Sequence, residues 1–402
     1  MNAILHKLRT YTGYLVMLHF LFPVNWASYL IGLWALFCLI IAVIQIKKIR
    51  IKDILQVVLY TTPFIWMVIS VNIHGGHGNA FIERSLSFLV FPVCVFLSGF
   101  QAEKDTLKKL TWVFAAGCLA LAVKGLVAYL CIPFHHTYDV QHDLMFRYRT
   151  EFNINTGIAP TYACIYFSFA ILLMLLQWKE MGQHKGMYLF LLISLFIQML
   201  ILSAKMPVVA FFVVLMILLV RKEILPGLIN RKRTLWIGAA VAIMVSLLLV
   251  FTRWSELWSG LNYRMVDEKE NSVGIRRGIL QCSLELTHTY FWQGTGPQHL
   301  QKKLNQCYYQ FEGNDFDDRH EFNTHNQYLD YLLTGGIAGL LVLISVLIVP
   351  LYIAIRQRDP FLLAFILLIA ICMLTENILS RQAGIVFYAF FNAVLVRRAN
   401  AL

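Results

Sequence analysis

The chain has 402 residues, 59% of them hydrophobic and only 14% charged, with a mean hydropathy of +0.65. Soluble globular domains do not carry that much apolar surface, and a β-barrel is excluded because the apolar residues form continuous runs of about 18 to 22 rather than alternating. The formal net charge of +12 is divided among short loops instead of forming one basic patch, so a nucleic-acid partner is not expected.

The runs match a hydrocarbon core about 30 Å thick. They predict an all-α, polytopic integral membrane protein with about 12 transmembrane helices, at 11–24, 27–46, 54–72, 84–100, 110–133, 159–177, 187–203, 206–220, 235–252, 332–354, 361–379 and 383–396. The first run is short and interrupted by Pro23. It lacks a small-residue cleavage site and further spans follow it, so no cleavable signal peptide is expected. With the N-terminus inside, the inner segments hold 20 of the 34 Lys and Arg residues against six acids. The positive-inside rule then places both termini in the cytoplasm and the 253–331 segment on the periplasmic or extracellular side. The chain divides into 1–252 (nine spans), 253–331 (one large outer loop with short helices) and 332–402 (three spans). No internal repeat appears, and only one half carries such a loop, which argues against a two-fold transporter architecture.

Two smaller outer loops are rich in polar groups. One is 73–83, with His74 and His77; the other is 134–158, with His135, His136, His142, Arg147 and Arg149. Lys205 lies in Ser203-Ala204-Lys205-Met206-Pro207, between two apolar runs with almost no loop, and the topology puts this hairpin outside. An ammonium there costs on the order of 3 kcal/mol unless it is paired or hydrated. Snorkelling to headgroups and neutralisation of a bound diphosphate are both open to it. Lys124, Arg84 and Glu376 are further ionisable groups in or beside spans, and Glu376 faces Arg381 across the last outer turn.

The large loop opens on Arg253-Trp254, at headgroup level by composition. The apolar spacing from Ile279 to Leu286 is helical and puts Arg276 and Arg277 in the first turn. Cations are unfavourable at that end of a helix dipole unless an anion joins them; pairing with lipid phosphates or loop acids is the plainer alternative. Gly294-Thr295-Gly296-Pro297 is a turn, with no Lys at Walker spacing behind it. Glu312 to Arg319 is acidic but lacks the regular spacing of a Ca²⁺ loop, and no His/Cys ligand spacing appears, so neither a metal nor another cofactor is expected. Cys282 and Cys307 share the loop and can form a disulfide if it faces an oxidising space; the sequence leaves their pairing open. His325, just before the 332–354 run, shares a helical face with Leu329, Leu332 and Gly336 by periodicity. An imidazole there titrates near neutral pH and can take a proton from a hydroxyl, or simply hydrogen-bond a carbonyl.

The order Arg276, Gly294-Thr295-Gly296, His325-Asn326-Gln327-Tyr328-Leu329 and Gly335-Gly336-Ile337-Ala338-Gly339, on one long outer loop before three last spans, resembles the O-antigen ligase and O-antigen polymerase superfamily. These are polytopic, GT-C-like membrane glycosyltransferases that also include bacterial O-oligosaccharyltransferases. The motif resemblance covers about 203–340. Two departures stand out. The family's Ser-Arg-Gly reads Ala204-Lys205-Met206 here, which keeps a charge but loses bidentate geometry, and Leu280 replaces an aromatic residue. The resemblance implies an inner-membrane enzyme with its active site facing the periplasm. Its donor is a glycan on undecaprenyl diphosphate, and its acceptor is a sugar hydroxyl of lipid A–core for a ligase, or of another lipid-linked glycan for a polymerase. Within that frame His325 and Arg276 are the catalytic candidates. Lys205, Arg277, Asn326, Arg264, Arg147 and Arg149 are the substrate-binding candidates, and the transfer is inverting and metal-independent. Besides these substrates, membrane lipids are the expected partners. From another class, a polytopic lipid or sugar transporter predicts charges deep in several spans, whereas these gather at the outer end.

Overall fold

The computed structural model describes residues 2–75, 77–100, 104–131, 144–180, 185–221, 272–312 and 322–401. Arg264 and the expected span at 235–252 lie outside the described residues. Within them every element is helical: α1 (Asn2–Met17), α2 (Val24–Ile44), α3 (Ile51–His74), α4 (Asn79–Ser85), α5 (Ser87–Pro92), α6 (Lys104–Cys131), α7 (Leu144–Thr156), α8 (Pro160–Leu176), α9 (Lys185–Leu202), α10 (Lys205–Val220), α11 (Ser272–Tyr290), α12 (Pro297–Glu312), α13 (Gln327–Arg356), α14 (Pro360–Cys372) and α15 (Gln382–Ala399).

Six stretches among the described residues are long and apolar enough to cross a bilayer: 24–44, 51–74, 79–97, 106–131, 185–202 and 327–356. A seventh is present if α7 and α8, bent 85° to each other, count as one broken span. α10 and α14 are apolar but shorter. The expected first span, 11–24, is instead the end of α1 followed by a short 3-10 turn. Pro23, in extended conformation, stands as the residue before α2, because a proline lacks the N–H that would continue the preceding helix. The expected 361–379 run is helical only to Cys372; residues 373–381 form an irregular link with a single 3-10 turn.

α15 is buried around its whole circumference, and the core gathers on it. Phe391 packs at a centroid distance of 5.0 Å against Phe114 of α6, Phe169 of α8 and Phe387 of its own helix. In a bilayer, lipid tails are as apolar as leucine, so such shape-matched contacts rather than a hydrophobic drive hold helices together. Two ion pairs clamp the C-terminal end of the final helix. Arg397 Nη1 donates to Asp53 Oδ1 at the start of α3, and Arg398 Nη1 donates to Asp359 Oδ2. Asp359 also caps α14, accepting from Phe361 N at 2.9 Å and Leu362 N at 3.2 Å.

Asp53 and Arg397 are both buried. Removing one member of a buried pair leaves a charge uncompensated, so Asp53→Asn is expected to destabilise the protein by about 3–5 kcal/mol. Thermal unfolding in detergent checks this. The double variant Asp53→Asn/Arg397→Met is expected to recover most of the loss, since it removes the stranded charge.

Candidate active site

Helices α11 and α12 form a small core of their own. Ile279, Cys282, Leu300, Leu304, Cys307 and Tyr308 pack together with Leu333 of α13, and Cys282 and Cys307 are disulfide-bonded, joining α11 to α12. α12 rests on the end of α3: Gln298 Nε2 donates to Val71 O at 3.3 Å. This unit docks into a break in α13. Gly336 has φ 63° and ψ −163°, which interrupts the helix. Ile337 N then donates to Phe291 O at 2.8 Å, while Thr295 N and Gly296 N donate to Leu333 O at 2.7 Å and Thr334 O at 3.0 Å. A break at membrane depth is tolerated when protein re-satisfies the freed backbone groups, and the Phe291–Gly296 turn does so.

The Gly-x-Gly motif is therefore a splice between loop and helix. Gly294 and Gly296 have φ 75° and 77°. A Cβ on Gly294 would lie 2.6 Å from Gly336 N, and one on Gly336 only 2.2 Å from Trp292 O. Backbone cannot retreat as a flexible side chain can, so Gly336→Ala combines a left-handed strain with a clash. It is expected to cost about 2–4 kcal/mol, measured as a lowered unfolding temperature with loss of the 272–312 unit's protease resistance.

α11 begins at Ser272, four residues before the expected start, so Arg276 is its fifth residue and stands beyond the first-turn N–H groups. Helical spacing sets it in line with the buried Ile279 and Ser283, whereas Arg277 falls in line with the exposed Leu280 and Leu284. The two neighbouring arginines thus part company: Arg276 turns toward the site and Arg277 away from the docked face.

His325 is not helical. It has φ 45°, and its N–H donates to Asn323 Oδ1 at 2.9 Å. A left-handed conformation is uncommon outside glycine and persists only where its surroundings impose it. Those surroundings begin one residue later. Asn326 caps α13, its Oδ1 accepting from Tyr328 N and Leu329 N at 3.0 Å each, and its Nδ2 donates to Leu374 O at 3.0 Å. Both ends of that carboxamide are engaged, so Asn326 positions the strand that bears His325.

The irregular link 373–381 supplies the rest. His325 Nδ1 is 3.9 Å from Glu376 Oε2, and Thr161 Oγ1 donates to Glu376 Oε1 at 3.5 Å. Burial, then the charges of Arg276 and Arg381, hold the imidazole below its ordinary 6.5. Burial pushes the Glu376 carboxyl up, opposed by Arg276, by the Thr161 hydrogen bond and by Arg381 and Arg149. His325, Glu376, Arg276, Arg381 and Arg149 therefore share one electrostatic neighbourhood, although their sequence numbers span more than half of the chain.

Lys205 opens α10 directly after the buried Ala204. Arg147 turns elsewhere, its guanidinium lying 5.2 Å from the Tyr129 ring centroid. The sequence pairs Glu376 with Arg381 at a turn; its contact with His325 is hidden there because the apolar stretch runs on to 379. A lone acid at the end of such a run was the available signal.

The family model described as O-Antigen ligase matches residues 188–344. That segment runs from α9 through the break in α13, and so includes Lys205, Arg276, the Gly-x-Gly splice and His325; Arg149 and Glu376 lie on either side of it. No curated protein matches the chain. Over residues 188–344, then, the chain is similar to the O-antigen ligase family.

Proposed function

We propose that the protein is an O-antigen ligase, transferring a glycan from undecaprenyl diphosphate to a sugar hydroxyl of lipid A–core on the periplasmic side of the inner membrane. The observation that carries this reading is the meeting of a half-buried imidazole and a carboxylate with three guanidiniums. Glycosyl transfer from a lipid diphosphate needs both kinds of group: a base for the attacking hydroxyl and cations for the charge that gathers on the leaving diphosphate.

In this mechanism the acceptor hydroxyl oxygen attacks the anomeric carbon from the face opposite the diphosphate and its proton passes to His325. The carbon–oxygen bond to the diphosphate breaks, and its electron pair stays on the diphosphate oxygen, beside Arg276, Arg149 and Lys205. Inversion follows from the single displacement. A depressed basicity suits His325 for this, because it is neutral and ready to accept at pH 7. Glu376, on the Nδ1 side, orients the ring and stabilises the imidazolium once formed. The guanidinium cluster fills the role that a divalent metal plays in other transferases.

The Cys282–Cys307 disulfide supports the outward placement of the loop, since such bonds persist in oxidising compartments. The polymerase reading uses the same chemistry with a different acceptor. A lipopolysaccharide gel of the deletion strain separates the two. Loss of ligation leaves long glycan on the carrier lipid, and loss of polymerisation leaves a single repeat on the core. The second pattern would overturn the ligase assignment.

A further inference from the structure

The strand Asn323–Asn326 and the link 373–381 have two sides. One bears the His325–Glu376 cluster. On the other, a cavity of about 360 Å³ opens between α3, α4, the start of α12 and the start of α13. Its size lies within the range of sites for small molecules, of order 300–1,000 Å³. Arg381 lines it, and so does Asn323, whose side chain holds the His325 backbone.

The polar side of the cavity is a built network. Asp330 accepts from Asn377 Nδ2 at 3.0 Å, from Ser380 Oγ at 3.3 Å and from Gln327 Nε2 at 3.3 Å. Asn377 Nδ2 donates in turn to Thr324 Oγ1, next to His325, at 3.0 Å. A carboxylate offers about four acceptor positions, so one remains for a ligand. Across the cavity stand Trp66 and Phe81.

We propose that this cavity is a saccharide subsite and that it holds the acceptor sugar, an inference that rests on the transferase reading above. Ring hydroxyls suit the residual acceptor position of Asp330 and the carboxamide of Asn323, and the apolar C–H face of a sugar suits Trp66 and Phe81. A lipid tail does not fit there, because it would strip hydration from the polar groups without replacing it. Donor phosphates belong with Arg276 and Arg149, across the strand. A sugar seated in the cavity lies against Asn323, two residues from the proposed base.

The test uses the full chain in nanodiscs, with lipid A–core lacking O-antigen as acceptor and the undecaprenyl-diphosphate-linked glycan as donor. Met67→Trp grows a larger side chain into the cavity from α3, and Arg84→Gln changes an exposed group at its edge, whose Nη1 donates to Ser380 O at 3.4 Å. Asp330→Asn keeps shape and removes the charge. The acceptor KM is expected to rise tenfold or more in Met67→Trp and about fivefold in Asp330→Asn and Arg84→Gln, with the donor KM within twofold of the original. A purely structural role for Asp330 would lower kcat and leave the acceptor KM in place. An unchanged acceptor KM in Arg84→Gln together with Met67→Trp, or a rise confined to the donor KM, overturns the subsite. If His325→Ala and Arg276→Ala abolish transfer while the cavity variants do nothing, the subsite alone fails; if those two retain transfer, the transferase reading fails first.

Discussion

Replacing His325 by alanine is expected to lower the rate of glycan transfer about 10²- to 10⁴-fold, the range that a positioned general base contributes. The left-handed backbone at this position makes the control important. Asparagine tolerates φ > 0 better than most residues, so His325→Asn keeps the local conformation and removes the base. Both variants are expected to lose activity alike while melting at nearly the original temperature. The pH profile gives a second readout. Transfer requires neutral His325, so kcat/KM rises with pH through the imidazole pKa and is lost as pH falls below it. Burial and the charges of Arg276 and Arg381 hold that pKa under 6.5, which puts the acid limb below 6.5. Arg381→Gln removes one of the two depressing charges and is expected to move the limb upward. A limb above 6.5 in the original protein, or full activity in His325→Asn, removes the base role.

What the sequence disclosed follows the range of the interactions concerned. Signals confined to a few residues were legible. The apolar run expected from 361 starts within one residue of α14, which opens at Pro360 behind the Asp359 cap. Gly294-Thr295-Gly296 reads as a turn, and both glycines have positive φ. What that turn does was not legible, because its partner is the backbone freed at Gly336, some forty residues later, and nothing in an apolar run with two glycines separates a flexible helix from a broken one. Helical periodicity placed His325 on one face with Leu329, whereas the helix starts after it. The N-cap at Asn326 decides that boundary, and an Asn two residues into the motif reads equally well as a ligand-binding group. Glu376 was hidden for a different reason: hydropathy averages over a window, so one carboxylate between Met373 and Leu379 barely lowers the sum, although the helix ends at Cys372. Arg149 and Arg147 look alike in the sequence. Only packing separates them, sending one to the Glu376 neighbourhood and the other to Tyr129.

Arg276→Ala is expected to reduce kcat/KM about 10²- to 10³-fold, as does the loss of one preorganised donor at a developing anion elsewhere. The effect has two sources that can be separated. The first is direct, the loss of a guanidinium beside the leaving diphosphate. The second runs through the pair it polarises. Arg276 opposes the rise that burial causes in the Glu376 carboxyl and depresses His325, so without it the carboxyl is protonated more readily and the imidazole gains a proton at higher pH. The acid limb should therefore move up, toward 6.5, along with the fall in rate. Arg276→Lys keeps the charge but loses the planar fork that grips two phosphate oxygens at once. It is expected to restore the position of the limb while recovering only part of the rate, which isolates the bidentate contribution. Arg277→Ala, one residue away and in line with the exposed Leu280 and Leu284, is expected to change the rate less than about threefold. Equal losses at Arg276 and Arg277 would mean that loop charge in general, rather than the guanidinium that acts on His325 and Glu376, supports the reaction, and the assignment of the diphosphate to Arg276 would have to be abandoned.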